Sequence, residues 1–135
     1  MLRILLVDAD TDHLLSLRAL LVQRGYEVCT ATTGAAAWEV LGTQNVAVLI
    51  TERRLPDTDG IELAARFKAQ CAEVKAIILT AYPSPQSRER AESRELDAYL
   101  TKPFSPAELS AMLDSLLTSS PPTTLAETAK ACPPP

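Results

Sequence analysis

The chain has 135 residues, 47% of them hydrophobic and 22% charged, with a net charge of -4. This is ordinary globular composition, and the length suits one domain with a full core. The acidic balance gives no electrostatic reason to expect direct binding to nucleic acid or to an anionic membrane.

Arg3 to Val7 (RILLV) is a continuous apolar run of the kind buried on both faces of a parallel sheet. It is far too short for a signal or spanning segment and ends in Asp8. Leu14, Leu17 and Leu21 follow at helical spacing and close at Gly25, a glycine C-cap. Tyr26 to Ala31 reads as a second strand. Gly34 to Leu41 reads as a second helix, with Ala37, Trp38 and Leu41 on one face. Val46 to Ile50 is the third strand and Ile61 to Gln70 the third helix, opened by Asp59. Ala76 to Leu79 is the fourth strand. Ser84 to Glu95 falls where a fourth helix belongs but holds no large apolar residue. With little more than Ala91 and Leu96 to anchor it, this segment is expected to be either a plain solvated helix face or loosely packed and mobile. Ala98 to Thr101 is a short fifth strand leading to Lys102-Pro103.

The last helix is the best specified locally. Ser105 can cap it, Pro106 suits its first position and Glu108 completes a capping box. Leu109, Met112, Leu113, Leu116 and Leu117 then form one apolar stripe. Beyond Thr118 the chain carries half of its ten prolines and no periodic apolar pattern. The expected organisation is one domain over 1–118 and a disordered Pro-rich tail or linker over 119–135. The three cysteines, Cys29, Cys71 and Cys132, lack metal-ligand spacing, which points to a reduced, cytoplasmic compartment.

Strands alternating with helices predict an α/β fold, a parallel sheet covered on both faces. Such a sheet carries its site at the carboxyl ends of the strands, near the reversal of strand order. There the sequence places Asp8 and Asp10 after the first strand, Glu52 after the third, Thr80 after the fourth and Lys102 after the fifth. Carboxylates suit a hard cation such as Mg²⁺, and a hydroxyl and an ammonium suit phosphoryl oxygens. His13, at the opening of the first helix, reads as solvated, and Trp38 as core.

The segments ILLVDAD (Ile4 to Asp10), LPDTDG (Leu55 to Gly60), ILTAY (Ile78 to Tyr82) and YLTKPF (Tyr99 to Phe104) together resemble the receiver domain of bacterial two-component response regulators. The resemblance covers residues 1–118 and implies a flavodoxin-like, doubly wound (βα)5 fold with a five-stranded parallel sheet. It further implies an acidic pair after the first strand that binds Mg²⁺, and an aspartate ending the third strand that accepts phosphate from a histidine kinase. A backbone carbonyl at the position of Arg54 would be the third metal ligand. A threonine after the fourth strand and an aromatic on the fifth report phosphorylation to the face made by the fourth helix, fifth strand and fifth helix. A lysine after the fifth strand pairs with the phosphoryl group, and its bond to the next proline is commonly cis. Thr80, Tyr99, Lys102 and Pro103 match these positions, and Asp8 matches the first acid.

Two carboxylate positions are altered. Ala9 stands where the metal-ligating second acid is expected, so Mg²⁺ binding should be weak or absent, with Asp8, Asp10, Glu52 and Arg54 as residual candidates. The phosphoacceptor position holds Glu52, whereas Asp57 and Asp59 belong to the following turn and helix start, where they can cap backbone N–H groups. Glu52 reaches about 1.5 Å further than Asp, enough to spoil in-line phosphoryl transfer. The same reach lets its carboxylate approach Lys102 and Thr80 and stand in for a phosphoryl group. Arg53 or Arg54 could pair with Asp8, Asp10 or Glu52 in place of the missing cation, or be solvated.

The expectation is an atypical, pseudo-receiver domain, not an enzyme, that binds a partner protein through the family's output face. A conventional Mg²⁺-dependent receiver phosphorylated by a histidine kinase is the main alternative. A haloacid-dehalogenase-type phosphatase is a remote one, because VDADTD sets Thr11 one place early for D-x-D-x-T.

Overall fold

The computed structural model describes residues 2–118; the Pro-rich segment 119–135 lies outside the described residues. Strands and helices alternate as β1 (Arg3–Val7), α1 (Thr11–Gln23), β2 (Glu27–Ala31), α2 (Gly34–Thr43), β3 (Val48–Glu52), α3 (Gly60–Gln70), β4 (Lys75–Thr80), α4 (Pro85–Ser93), β5 (Ala98–Thr101) and α5 (Pro106–Thr118). The sheet is parallel throughout, in the order β2-β1-β3-β4-β5. This is the expected flavodoxin-like winding, and its order reverses between β1 and β3. Among the described residues no helix is long and apolar enough to cross a membrane.

Two cores follow from the two-residue period of a strand. Leu5, Val7, Leu49, Ala76 and Ile78 face one side and pack with Ala37 and Leu41 of α2 and Ile61, Leu63, Ala64 and Phe67 of α3. Ile4, Leu6, Val48, Ile50, Ile77 and Leu79 face the other, against Leu14, Leu17 and Leu21 of α1 and Leu109 and Leu113 of α5. The central strands β1, β3 and β4 are covered on both sides, which is why their sequences are continuous rather than alternating. Trp38 is partly buried at the margin of the first core, edge-on to Phe67 at 5.5 Å and with the Arg66 guanidinium over its ring.

Strand boundaries differ from the sequence reading where polar residues enter the sheet. β3 runs Val48–Glu52 rather than Val46 to Ile50, because Thr51 and Glu52 continue its register against Ile78 and Leu79. Thr51 is fully buried and resolves its polarity by donating Oγ1–H to the Glu52 carbonyl at 2.9 Å. β4 likewise extends to Thr80.

The fourth helix forms where the sequence placed it, and its apolar anchoring is as sparse as expected. α4 opens with a capping box in which Ser84 and Ser87 bind each other's backbone N–H, and Pro85 occupies its first turn. Ser87 and Ala91 are buried, and Leu96 packs on the core. Polar contacts then do what apolar ones could not: Arg90 reaches Asp59 at 3.2 Å and Glu62 at 2.7 Å on the α3 side, and Arg94 also pairs with Glu62. The Arg90 hydrogen bond outweighs burial and, with Arg94, holds the Glu62 carboxyl below its ordinary range.

Gly60, the first residue of α3, is packed so closely that a Cβ there would overlap the Glu52 carbonyl oxygen. Its N–H donates to the Arg53 carbonyl at 2.5 Å. Gly60→Ala is therefore expected to destabilise the domain by about 1–3 kcal/mol, as overpacking against backbone does. Urea unfolding measures this, and an unchanged midpoint would contradict the packing described.

Candidate functional site

The carboxyl edge of the sheet gathers Asp8 after β1, Glu52 ending β3, Thr80 ending β4 and Lys102 after β5. Lys102 is positioned by its backbone N–H, which donates to the Thr80 carbonyl at 2.8 Å, and its bond to Pro103 is cis. Its Nζ lies 2.5 Å from Glu52 Oε2 and 3.2 Å from Asp8 Oδ2. The two acids are well covered, with side-chain exposures of 14% for Glu52 and 6% for Asp8, so their charges are screened little by water. Among the described residues Glu52 Oε2 has no hydrogen-bond partner in addition to this ion pair. One ammonium thus carries both carboxylates.

Asp8 has a further partner that the sequence reading missed. His13 Nδ1 lies 2.8 Å from Asp8 Oδ2, the same oxygen that Lys102 approaches. Its ring is half-buried and stands edge-on to Phe104 at 6.0 Å between centroids. His13 is therefore part of the site and not a solvated residue at a helix opening. The available signal was its spacing: the first turn of α1 folds back over the end of β1 and sets His13 beside Asp8.

Asp10 does not join this cluster. Its Oδ1 accepts the N–H groups of Asp12 and His13 and so caps α1, while its own N–H donates to Asp8 Oδ1 at 2.9 Å. Asp59 caps α3 by accepting the Ile61 N–H, as expected. Asp57 caps across the molecule, accepting from Gly34 and Ala35 at the start of α2, and those two N–H groups lower its pKa. Neither arginine supplies a cation to the acids. Arg53 Nε faces Asp59 at 4.0 Å, and the Arg54 guanidinium lies over the Tyr82 ring at 5.4 Å. Thr80 is buried, but its Oγ1 accepts the Tyr82 N–H at 3.0 Å, and the contact Glu52 makes is with Lys102.

Tyr99 is half-buried against the core, with its hydroxyl 2.5 Å from Ser87 Oγ on α4 and the Arg88 guanidinium 4.6 Å over its ring. The site and the α4 surface are thus joined along β5, which carries Tyr99 and ends beside Lys102.

A sheet edge with acids on two central strands, a buried threonine and a lysine after the last strand is the arrangement of a receiver-type signalling domain of doubly wound α/β type. Comparison with known proteins gives the family: the response regulator receiver domain matches residues 4–114, and the chain belongs to that family. It is 36% identical over 122 residues to response regulator RppA of Synechocystis sp., covering 89% of this chain and 52% of that protein. Among solved structures, a CheY-like response regulator receiver domain protein from Methanospirillum hungatei JF-1 superposes with a TM-score of 0.85 at 29% identity, covering 88% of this chain and 95% of that one. The signal receiver domain of an HD domain-containing protein from Pseudomonas fluorescens Pf-5 gives 0.84 at 31% identity, covering 87% and 95%. The chain spans about half the length of curated relatives such as RppA and PrrA of Mycobacterium bovis.

The dication that the family implies needs several oxygen donors converging on one point. Here Ala9 offers none from its side chain, Asp10 Oδ1 is committed to a helix cap, and Asp8 Oδ2 is shared by His13 and Lys102. Glu52 is drawn to Lys102. Among the described residues no group of three or more His, Cys, Asp or Glu side chains is disposed to hold a metal ion. As arranged, the donor set does not fit a hard dication.

The charges leave a pH signature. Burial raises the Asp8 pKa, but the His13 contact, the Asp10 N–H and Lys102 outweigh it, so the net shift is downward. Burial lowers the Lys102 pKa, but Glu52 and Asp8 outweigh it, so the net shift is upward. The Asp8 contribution to stability is present above the ordinary Asp range and lost as pH falls through the depressed value. The Lys102 contribution is present below the ordinary Lys value and lost as pH rises through the raised one. Lys102→Met should remove this alkaline share and, by leaving Asp8 and Glu52 facing each other, lower stability at neutral pH by about 1–3 kcal/mol, between an exposed and a buried pair. Urea unfolding across pH reads both effects.

Proposed function

We propose that this receiver domain signals by protein–protein contact without phosphoryl transfer, with Glu52 acting in place of the phosphorylated acid. The observation that carries the reading is the 2.5 Å ion pair between Glu52 Oε2 and Lys102 Nζ. The lysine that the family uses for a phosphoryl group already has a carboxylate partner supplied by the chain. One negative charge replaces the −1.5 to −2 of a phosphoryl group, at roughly the place where Lys102 would meet it. The inward Tyr99, with its hydroxyl on Ser87, is consistent with a domain held in one conformation.

On this reading the domain is not an enzyme, needs no Mg²⁺ and acts in the cytoplasm. Its partner is a protein that docks on the face formed by α4, β5 and α5. Tyr99 and Arg88 lie on that face, and their stacking gives it an aromatic and cationic centre of the kind that anchors interfaces. A histidine kinase is a partner only if Glu52 proves competent to receive phosphate.

Incubation with a small-molecule phosphodonor and Mg²⁺, followed by intact-mass measurement, tests the reading. The expected result is no stable single-phosphate adduct. An adduct on Glu52 would overturn it. Glu52→Asp combined with Ala9→Asp restores the family's two acids and is expected to gain the adduct, which shows that the assay detects transfer.

A further inference from the structure

The altered acid at Ala9 explains a missing ligand, but not what balances Asp8. We infer that His13 is the resident partner that takes the dication's place at Asp8, so that loss of the second acid and the presence of this histidine form one metal-excluding arrangement. The inference deepens the metal-independent reading above.

Four observations carry it. His13 Nδ1 sits 2.8 Å from Asp8 Oδ2, so the oxygen of the one family acid that remains faces an imidazole. Lys102 Nζ approaches the same oxygen at 3.2 Å, leaving a dication to compete with two side chains at once. The imidazole also stands edge-on to Phe104 at 6.0 Å between centroids, and Phe104 follows the Lys102-Pro103 bond and so belongs to the same edge of the sheet. Asp10, the acid that follows Ala9, accepts the backbone N–H of His13 itself. The side chain that could have replaced the lost ligand is therefore the one that anchors the histidine. Restoring an acid at position 9 returns a donor without removing the competitor, so cation binding recovers only in part and needs excess metal.

That separation gives the test. Mn²⁺ binding is followed by the electron paramagnetic resonance of the free ion in Ala9→Asp and in Ala9→Asp/His13→Ala, both in the full chain. If His13 occupies the cation's place, the double variant binds at least about tenfold more tightly than the single one, the scale of one competing polar contact. Equal affinities would overturn the inference. Ala9→Asp/His13→Gln serves if the alanine variant does not fold. In the unaltered chain, His13 is the sole histidine, so its imidazole nitrogen resonances are unambiguous. In weakly alkaline buffer Nδ1 should carry a hydrogen-bonded proton, and a ring protonated on Nε2 alone would contradict the proposal without any variant. These readouts concern Asp8 and His13, whereas the mass measurement concerns Glu52, so either idea can fail while the other stands.

Discussion

The ammonium of Lys102 is the contact on which the functional edge depends. Strand order sets Asp8 and Glu52 on neighbouring strands and leaves β4 between β3 and β5. Only a long, flexible stem starting after β5 can cross that strand and meet both acids, which is what a lysine provides. Without it, two well-covered carboxylates would face each other with little water to separate their charges. With it, the ends of β1, β3 and β5 are tied at one point, and the backbone N–H of Lys102 adds β4 through Thr80. The ion pair is therefore structural, and any signalling role proposed for it cannot be separated from that by removing the lysine alone.

Around this point the acids divide by what their oxygens meet first. Asp10, Asp57 and Asp59 are short side chains in loops beside helix starts, and each accepts backbone N–H groups of α1, α2 and α3 respectively. Capping neutralises part of a helix terminus and holds the loops that frame the site, at the expense of any role in binding cations. Glu52 differs because it ends a strand, where no helix N–H competes for it, and because it is longer. Its extra methylene carries the carboxylate to Lys102. A shorter acid at the same place would leave room for a group transferred onto it; the longer one brings its own charge into that space.

The repeating strand–helix pattern, the last helix with its Ser105–Glu108 box, and the placement of Asp8, Glu52, Thr80 and Lys102 were all legible in the sequence, because apolar periodicity and parallel topology determine them together. Polar compensation was not. α4 looked unanchored because it lacks large apolar residues, yet Arg90 and Arg94 find Glu62 on another helix, 28 and 32 residues away. Asp57 was read as part of its own turn, whereas its cap is 23 residues earlier at Gly34. His13 is the reverse case: it is five residues from Asp8, close enough to have been noticed, but a lone histidine carries no motif. Pattern reveals apolar burial; it says little about which charge a charge will find.

A carboxylate built into the chain has a consequence for signalling that a transferred phosphoryl group does not. A ligand moves a two-state equilibrium only by its different affinity for the two states, and a side chain present in every copy contributes a constant bias. On the reading proposed, the Glu52–Lys102 pair sets that bias and cannot itself carry a message. The message must enter through the partner, by its concentration or by how well it fits the inward Tyr99. The contact closest to that surface is the hydrogen bond between Tyr99 and Ser87, and the helix bearing Ser87 is held to α3 mainly by arginine–carboxylate pairs. Such pairs are directional and can be exchanged for a partner's carboxylates, whereas a buried leucine face could only be exposed. The weak apolar character of α4 thus becomes intelligible as the property of an element whose contacts a partner can replace.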